Sequence, residues 1–374
     1  MLLVGLLRHT LASRKTTSIP FLKDFLPPSN PLPKKPSRPL SSLDTHPTYH
    51  IETHGCQMNV SDSELVKGML REGWEEVPEK SKADVWLVNT CAIRERAEEK
   101  VLEKIRMNKQ RQVVGVLGCM AERLKQRLFK EGVHVVCGPD AYRDLPRLLG
   151  LALETNRPQM NVQLSAEETY ADVAPVRKAG EATAYVSIMR GCNNMCSFCI
   201  VPFVRGRERS TPLVQLLQEI GRLEEEGVRE VTFLGQNVNS YHDVTSDIRS
   251  PHANAEGFGE MYKMRNEPGA RFADLLEEAA KAYPNVRFRF TSPHPKDFPL
   301  RVLEVIAKYP NVCNYVHLPA QSGSTEVLMS MRRNHTREAY LELVDKIRQT
   351  IPNVGLSTDL CAGSAGRRRH STQR

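Results

Sequence analysis

The sequence predicts an α/β protein built as an N-terminal parallel α/β sandwich followed by a partial, incomplete β/α barrel. Two runs of alternating strand-like and helical patterns indicate this class, because strands separated by helices pair in parallel through right-handed crossovers. A polar stretch separates the two runs. The length of 374 residues suffices for about two domains.

Composition narrows the classes of protein that the chain could be. Its 52 Lys and Arg against 44 Asp and Glu give a formal charge of +8, which fits a polyanionic partner but is weak evidence alone. No apolar run approaches the about 20 residues that span a bilayer, so an integral membrane protein is excluded. Nine scattered cysteines, an odd number, argue against a disulfide-stapled scaffold.

Residues 1–48 differ from the rest of the chain. They hold 8 of the 24 prolines, and no acidic residue precedes Asp24, whereas Arg8, Arg14 and Lys15 are basic. This composition predicts a disordered leader that acts as a mitochondrial transit peptide, and hence a location in the mitochondrial matrix. An ordinary cytosolic N-terminus, with a cytoplasmic pool of the protein, is the alternative.

The first run of alternating elements covers residues 49–153. Cys56, Cys91 and Cys119 each follow directly after a predicted strand. Ligands bind at the carboxyl ends of the strands in parallel sheets, so these cysteines are expected to meet at one edge. Spacing alone also allows buried, reduced thiols. The predicted strands cover 49–55, 85–90, 113–118 and 133–138, and the predicted helices 61–71, 93–109 and 121–130.

Residues 154–181 are polar and predict a linker, and alternation resumes over 182–359. Repeated βα units of this kind form full or partial β/α barrels with the active site above the carboxyl ends of the strands. The polar residues 241–271 predict a surface insertion. The predicted strands cover 184–189, 230–235, 286–292, 314–320 and 354–359, and the predicted helices 213–227, 272–283, 300–309 and 337–350.

The most informative motif follows the first strand of the second run. Cys192, Cys196 and Cys199 form the pattern C-x3-C-x2-C. Three thiolates can hold three irons of a 4Fe–4S cluster and leave the fourth iron open to a ligand. A structural zinc site or reduced core thiols are the alternatives. The remaining cysteines fit buried or incidental thiols: Cys137, Cys313 and Cys361.

This cysteine loop resembles that of the radical S-adenosylmethionine (SAM) superfamily. Together with other segments it resembles the MiaB-type tRNA methylthiotransferases, over residues 49–359, and is most similar to mitochondrial members associated with a cyclin-dependent kinase regulatory subunit. The matching segments are HGCQMN (54–59), NTC (89–91), LGC (117–119), RGCNNMCSFCIVPFVRGRERS (190–210), LGQNVNSY (234–241), RFTSPHP (289–295) and HLPAQSGS (317–324).

The resemblance implies an enzyme that converts N(6)-isopentenyladenosine next to the tRNA anticodon to its 2-methylthio derivative. It implies two 4Fe–4S clusters, one on Cys192, Cys196 and Cys199 that generates a radical from SAM, and a second on Cys56, Cys91 and Cys119. In the family the radical removes hydrogen from C2 of the adenine, the second cluster delivers sulfur, and a further SAM supplies the methyl group. A reducing electron donor and a kinase regulatory subunit are the expected protein partners.

Other site residues are weaker candidates. Gln236, Asn237 and Asn239 follow a predicted strand and could hydrogen-bond the cofactor or nucleoside, although a role in shaping the loop is nearly as well supported. His317 and Gln321 stand at another strand end and could contact SAM. Arg205, Arg207 and Arg209 could bind RNA phosphates, or could form a solvated basic loop.

The sequence departs from the family pattern after Asp359. Residues 360–374 form a divergent basic tail where the family continues into a final αβ unit and a small tRNA-binding β-barrel domain. We therefore expect a truncated or alternatively spliced form with an unfinished radical SAM domain over 182–359. The alternatives to the enzyme are an inactive isoform that binds a kinase regulator, and a methylthiotransferase for another substrate.

Overall fold

The computed structural model describes residues 46–92, 95–108, 112–251, 253–259 and 267–361. The predicted leader lies outside the described residues up to residue 45, and the predicted basic tail lies outside them from residue 362 onward. Within the described ranges, both predicted runs of alternating strands and helices are confirmed.

The N-terminal half, 46–161, alternates strands and helices. The elements are β1 (Thr48–His54), α1 (Gln57–Leu70), β2 (Glu75–Glu76), β3 (Val85–Thr90), α2 (Glu95–Arg106), β4 (Val113–Leu117), α3 (Cys119–Leu124), β5 (Val135–Cys137), α4 (Leu145–Thr155) and β6 (Gln159–Asn161). The strands form a parallel sheet with the order β2-β1-β3-β4-β5-β6. Every residue of β3 and β4 is buried, as expected for central strands covered on both faces.

Alternate side chains of the central strands build two separate cores. On one face, Leu87 and Val113 pack with residues of α1 and α4; on the other, Trp86 and Val114 pack with residues of α2. The period of two along a strand sends neighbouring residues to opposite faces, so this distribution is the expected one. The predicted sandwich is confirmed.

The predicted linker begins with ordered structure. α4 ends at Thr155, and β6 pairs in parallel with β5 as the last strand of the sheet. The sequence of β6, QMN, is short and polar, as is common at a sheet edge, and carries no apolar alternation that could reveal it. The boundaries at 153 and 181 stay predictions.

His134 makes the stability of this half depend on pH. Its ring is buried and accepts a hydrogen bond at Nδ1 from the Val114 N–H at 3.1 Å, and burial lowers its pKa to about 4. The unfolded chain takes up a proton below about pH 6.5 and the folded chain does not, so stability falls as the pH falls from there to about 4, by up to about 3 kcal/mol. The measurement is urea denaturation of the wild type and His134→Asn across this range; a constant difference between them would contradict the prediction.

The C-terminal half, 183–361, carries five parallel strands: β7 (Thr183–Ser187), β10 (Glu230–Leu234), β13 (Arg287–Phe290), β14 (Tyr315–His317) and β15 (Gly355–Ser357). The first three form one sheet, β14 pairs with β15, and a bridge between Phe288 and Val312 connects the two groups. The elements are β7 (Thr183–Ser187), β8 (Met189–Arg190), α5 (Val201–Arg205), β9 (Arg209–Ser210), α6 (Leu213–Glu225), β10 (Glu230–Leu234), β11 (His242–Asp243), β12 (Ala270–Arg271), α7 (Phe272–Ala282), β13 (Arg287–Phe290), α8 (Leu300–Lys308), β14 (Tyr315–His317), α9 (Thr325–Ser330), α10 (Arg337–Thr350) and β15 (Gly355–Ser357).

These strands form an open arc, and no closed barrel is present among the described residues, so the predicted partial barrel is confirmed. One apolar core fills the arc, with the stacked rings of Phe233 and Phe288 on neighbouring strands 5.6 Å apart. The ends of the predicted insertion, β11 and β12, pair antiparallel. A helix long and apolar enough to cross a bilayer does not occur in the described ranges.

Candidate active site at two cysteine triads

The first triad lies at the carboxyl ends of three adjacent strands. Cys56 follows β1 and precedes α1, Cys91 follows β3, and Cys119 follows β4 and begins α3. A hydrogen bond with the Cys91 side chain lowers the pKa of Cys56 to about 6. A Cβ on Gly55 would lie 2.7 Å from the Cβ of Cys91, so the loops are in close contact. The structure brings these residues together at one edge of the sheet.

Two buried asparagines hold these loops in place. The Asn89 amide donates from Nδ2 to the Asn59 carbonyl at 2.9 Å and to the Ser63 hydroxyl at 3.0 Å, and the Asn59 amide donates to Asn89 Oδ1 at 3.1 Å. The Cys56 N–H donates to Asn59 Oδ1 at 3.3 Å. Neither asparagine is among the site residues predicted from the sequence, although both stand in the family-like segments HGCQMN and NTC.

The second triad occupies the loop between β8 and α5. Cys192 and Cys196 are buried and Cys199 is half-buried. The Asn194 N–H donates to Cys192 Sγ at 3.4 Å, and Arg333 Nη1 donates to Cys196 Sγ at 3.6 Å. Burial raises the pKa of Cys192, whereas hydrogen bonds of this kind favour a charged sulfur. This environment suits thiolates that are neutralised by a bound cation.

Each triad supplies three thiols. Thiolates are ligands both of structural zinc and of iron–sulfur clusters. In the part of the chain that the structure describes, no three His, Cys, Asp or Glu side chains form a group that could hold a metal ion as they stand.

Gln236 and Asn237 lie beside the second triad. Gln236 follows β10, and its Oε1 accepts from the N–H of Gly191 at 2.5 Å, while its buried Nε2 has no hydrogen-bond partner among the described residues. Asn237 donates from Nδ2 to Asp297 Oδ2 at 3.0 Å and to Glu208 Oε1 at 3.3 Å, and its buried Oδ1 is likewise unpartnered there. Both side chains retain a polar atom for a bound molecule.

Asn239 shapes its loop, which is the alternative to cofactor binding that the sequence predicted for it. It donates from Nδ2 to the carbonyls of His294 at 3.0 Å and Asp297 at 2.8 Å, and its Oδ1 accepts from the N–H of His294 at 2.8 Å. These bonds tie the loop after β10 to the loop after β13. Its amide group is therefore fully engaged within the protein.

His317 and Gln321 lie farther around the arc, beside the segment that follows β15. His317 Nδ1 shares a hydrogen bond with the Ser357 hydroxyl at 2.8 Å, and its Nε2 lies 3.4 Å from Asp359 Oδ2. Gln321 Oε1 accepts from Cys361 Sγ at 2.9 Å. The structure pairs these two residues with the segment around β15 rather than with the cysteines of either triad.

Arg333 connects that region to the second triad and is absent from the sequence-based candidates. Besides its bond to Cys196, it donates from Nη2 to the Pro319 carbonyl at 3.0 Å, and its side chain is buried. It follows α9, a short helix that was not predicted from the sequence. No motif distinguishes it, because its role depends on a contact across more than a hundred residues of sequence.

Two of the three arginines proposed for RNA phosphates are buried. Arg205 is 2% exposed and Arg209 is 8% exposed. Arg205 forms an ion pair with Asp62 at 2.6 Å, and Arg209 forms one with Asp140. The expected phosphate contacts are thus wrong for these two residues, because their carboxylate partners come from the other half of the chain. Arg207 alone is exposed to solvent.

α5 joins the two triads. It begins two residues after Cys199 and ends at Arg205, whose Nε donates to Cys119 Sγ at 3.1 Å. Along the same helix, Val204 packs against Cys119 and Ala92 in a small apolar cluster. Five helical residues span about 8 Å, so the two triads are neighbours across the contact between the halves.

Gly191, which precedes the second triad, has no room for a side chain. Its φ is +79°, and a Cβ there would lie 2.0 Å from the Arg207 carbonyl oxygen, whereas a Cβ on Gly132, at φ +87°, would meet nothing within 4 Å. Gly132→Ala should cost only the left-handed backbone penalty of about 1–2 kcal/mol, and Gly191→Ala about 2–5 kcal/mol because of the added clash. Urea denaturation measures both, and equal losses would contradict the prediction.

Family models match both halves of the chain. Residues 48–138 match "Uncharacterized protein family UPF0004", and residues 186–366 match the "Radical SAM superfamily". The first match contains one triad and the second match contains the other.

Several known proteins are similar to this chain over most of its length. A CDK5RAP1-like protein of Oryza sativa subsp. japonica is 52% identical over 346 residues, 85% of this chain and 57% of that protein. The mitochondrial tRNA methylthiotransferase CDK5RAP1 of Homo sapiens is 48% identical, over 85% of this chain and 58% of its own length. The tRNA-2-methylthio-N(6)-dimethylallyladenosine synthase of Chloroherpeton thalassium is 47% identical, over 84% and 66%. The chain thus spans less than two thirds of these relatives.

Solved structures support the fold. The radical S-adenosylmethionine methyltransferase TsrM from Kitasatospora setae matches 87% of this chain and 69% of its own with a TM-score of 0.60 at 12% identity. At that identity the likeness concerns the architecture alone.

Proposed function

This chain belongs to the MiaB-type family of radical SAM methylthiotransferases, and on that premise we propose that it transfers a methylthio group to an adenosine of tRNA. The substrate we propose is N(6)-isopentenyladenosine next to the anticodon. The modified base in the name of the Chloroherpeton thalassium relative, N(6)-dimethylallyladenosine, supports this choice. The product is its 2-methylthio derivative.

A single observation carries the proposal: two cysteine triads on different halves of the chain lie at the two ends of α5. A methylthiotransferase of this type needs one site that activates the substrate and another that supplies sulfur. Two neighbouring sites, each with three thiolates, meet that requirement. A single structural cluster would need only one triad.

The residues of the second triad fit a 4Fe–4S cluster and SAM. Cys192, Cys196 and Cys199 would hold three irons, and the fourth would bind the amino and carboxylate groups of SAM. When bound, the cluster and SAM would supply the radical chemistry that replaces hydrogen on the adenine. Gln236 and Asn237 would orient the cofactor or nucleoside through their unpartnered polar atoms, and the buried Arg333 would hold the loop of Cys196.

We propose that Cys56, Cys91 and Cys119 hold a second 4Fe–4S cluster, the source of the transferred sulfur. The buried amides of Asn59 and Asn89 keep the loops in place before any cluster binds. The hydrogen bond that lowers the pKa of Cys56 to about 6 favours a thiolate at the exposed end of the triad. These features support ligation at a site that is already formed.

The remaining proposals concern partners and location. A low-potential electron donor is needed, because the cofactor reaction starts with a one-electron reduction. We propose a location in mitochondria, which the mitochondrial relatives support, and within them the matrix. We also propose association with a kinase regulatory subunit. Imaging of a C-terminally tagged full chain and co-precipitation of that subunit test these two points.

The function is tested by anaerobic reconstitution of the full chain with iron and sulfide. We expect about eight irons per chain, release of 5′-deoxyadenosine on reduction with SAM, and formation of 2-methylthio adenosine in isopentenylated tRNA, measured by mass spectrometry of its nucleosides. The matched control is the same tRNA without the isopentenyl group, which should yield no product. Fewer than about four irons per chain would overturn the proposal.

A further inference from the structure

Arg205 belongs to the C-terminal half, but its side chain ends among the cysteines of the N-terminal half. Its Nε donates to Cys119 Sγ at 3.1 Å, and its Nη2 lies 2.6 Å from Asp62 Oδ2. The side chain is almost wholly buried, and its positive charge also acts on Cys56. A guanidinium buried against a thiol of this triad is not explained by packing alone, because burying a charge is costly.

The surroundings of Arg205 fix the direction of its hydrogen bonds. Asp62 is buried on α1, where it also accepts from Arg190 Nη1 at 3.1 Å and from the Tyr142 hydroxyl at 3.2 Å. This carboxylate therefore holds one arm of the guanidinium while Nε faces the sulfur. The remaining arm, Nη1, is buried and has no hydrogen-bond partner among the described residues, so its N–H groups are left for a further acceptor.

We propose that Arg205 is a positioning residue for the second cluster: it donates to the Cys119 thiolate and, through Nη1, to an acceptor of the bound cluster such as a sulfide. Hydrogen bonds to the sulfurs and the net charge nearby set the reduction potential of an iron–sulfur cluster. A cationic donor stabilises the reduced, more negative form, so Arg205 raises the potential of this cluster. The inference rests on the second cluster of the proposed function.

The test measures the potential of that cluster alone. The full chain with Cys192, Cys196 and Cys199 all replaced by alanine is the parent, because it should retain only the second cluster, with about four irons. An anaerobic reductive titration followed by electron paramagnetic resonance compares the parent with the same chain carrying Arg205→Gln. We expect unchanged iron content and a potential shifted to more negative values. Arg205→Lys, which keeps the charge but loses the planar donor, should shift it less.

Arg209→Gln in the same parent is the matched control. Arg209 is buried and ion-paired to Asp140 across the same contact, but it donates to no cysteine in the described residues. The Arg209→Gln variant should have the same cluster potential as the parent. An equal shift in both glutamine variants, or no shift in Arg205→Gln, would show that Arg205 only fastens the halves together and would overturn the inference.

Two further outcomes separate this inference from the proposed function. If the parent binds no cluster, the proposal of a second cluster is wrong and the inference fails with it. If the parent binds a cluster whose potential is the same in the Arg205→Gln variant, only the inference fails. If Arg205→Gln does not retain iron, Arg205→Lys takes its place, and an unshifted potential in that variant likewise overturns the inference.

Discussion

Cys192→Ala is expected to abolish release of 5′-deoxyadenosine and to leave about four of about eight irons, because two thiolates cannot retain a cluster that already lacks a fourth protein ligand. Cys119→Ala is expected to lose the same amount of iron from the other triad while cofactor cleavage continues. Neither variant should form the 2-methylthio product. Iron analysis, 5′-deoxyadenosine release and tRNA nucleoside analysis of each variant measure these effects.

Cys137→Ala is the matched control for both substitutions. Cys137 also ends a strand of the first sheet, but its thiol is fully buried and donates to the Ala141 carbonyl at 3.3 Å. Its hydrogen bond stays within the loop that follows its own strand, and its side chain is part of the N-terminal apolar core rather than of either triad. This variant should keep both clusters and full cleavage. Cleavage that survives in Cys192→Ala, or is lost in Cys119→Ala, would contradict the division of roles between the triads.

Asp62→Asn is expected to lower the free energy of unfolding by about 3–5 kcal/mol, because it leaves two buried arginines without their shared carboxylate. Asp62 is 1% exposed and pairs with Arg205 at 2.6 Å and with Arg190 at 3.1 Å. Burial would raise its pKa, but the charges of both arginines outweigh burial and lower it. Urea denaturation at neutral pH gives the difference.

Asp172→Asn provides the comparison for an exposed carboxylate. Its side chain is 68% exposed and pairs with Arg143 on the surface, so its loss should cost at most about 1 kcal/mol. Similar small losses in both variants would mean that the buried network contributes little to stability. A large loss confined to Asp62→Asn would support its role in holding the halves together.

Much of the fold could be predicted from the sequence because its signals are local. The strands β3 and β4 are largely continuous apolar runs, and the helix from Leu213 to Glu225 shows a clear helical period. The predicted and observed bounds of these three elements differ by at most two residues. One long apolar helix, α4, was missed although its leucines recur at helical spacing. The other missed elements are short or polar, notably α5, α9 and β6. Such segments take their conformation from neighbours that a single stretch of sequence does not reveal.

The same distinction applies to the site. Both triads follow predicted strands, so their convergence could be expected once the strands were taken as parallel. The partners of Arg205 and Arg333 could not, because each contact joins residues distant in sequence and depends on how the halves meet. The basic residues around Arg205 predict either contacts with RNA phosphates or a solvated loop, because neighbouring basic residues in a loop usually face solvent. Its burial is a property of the assembled fold.

The five residues of α5 have a consequence for the kinds of change this chain can tolerate. An α-helix turns by about 100° per residue, so one inserted or deleted residue between Cys199 and Arg205 would rotate the guanidinium away from Cys119 and change its distance by about 1.5 Å. Exposed positions such as Phe203, which is 63% exposed, can vary in identity without that effect. The length of this segment is therefore constrained more strictly than its composition. The number of residues in it determines where one triad lies relative to the other.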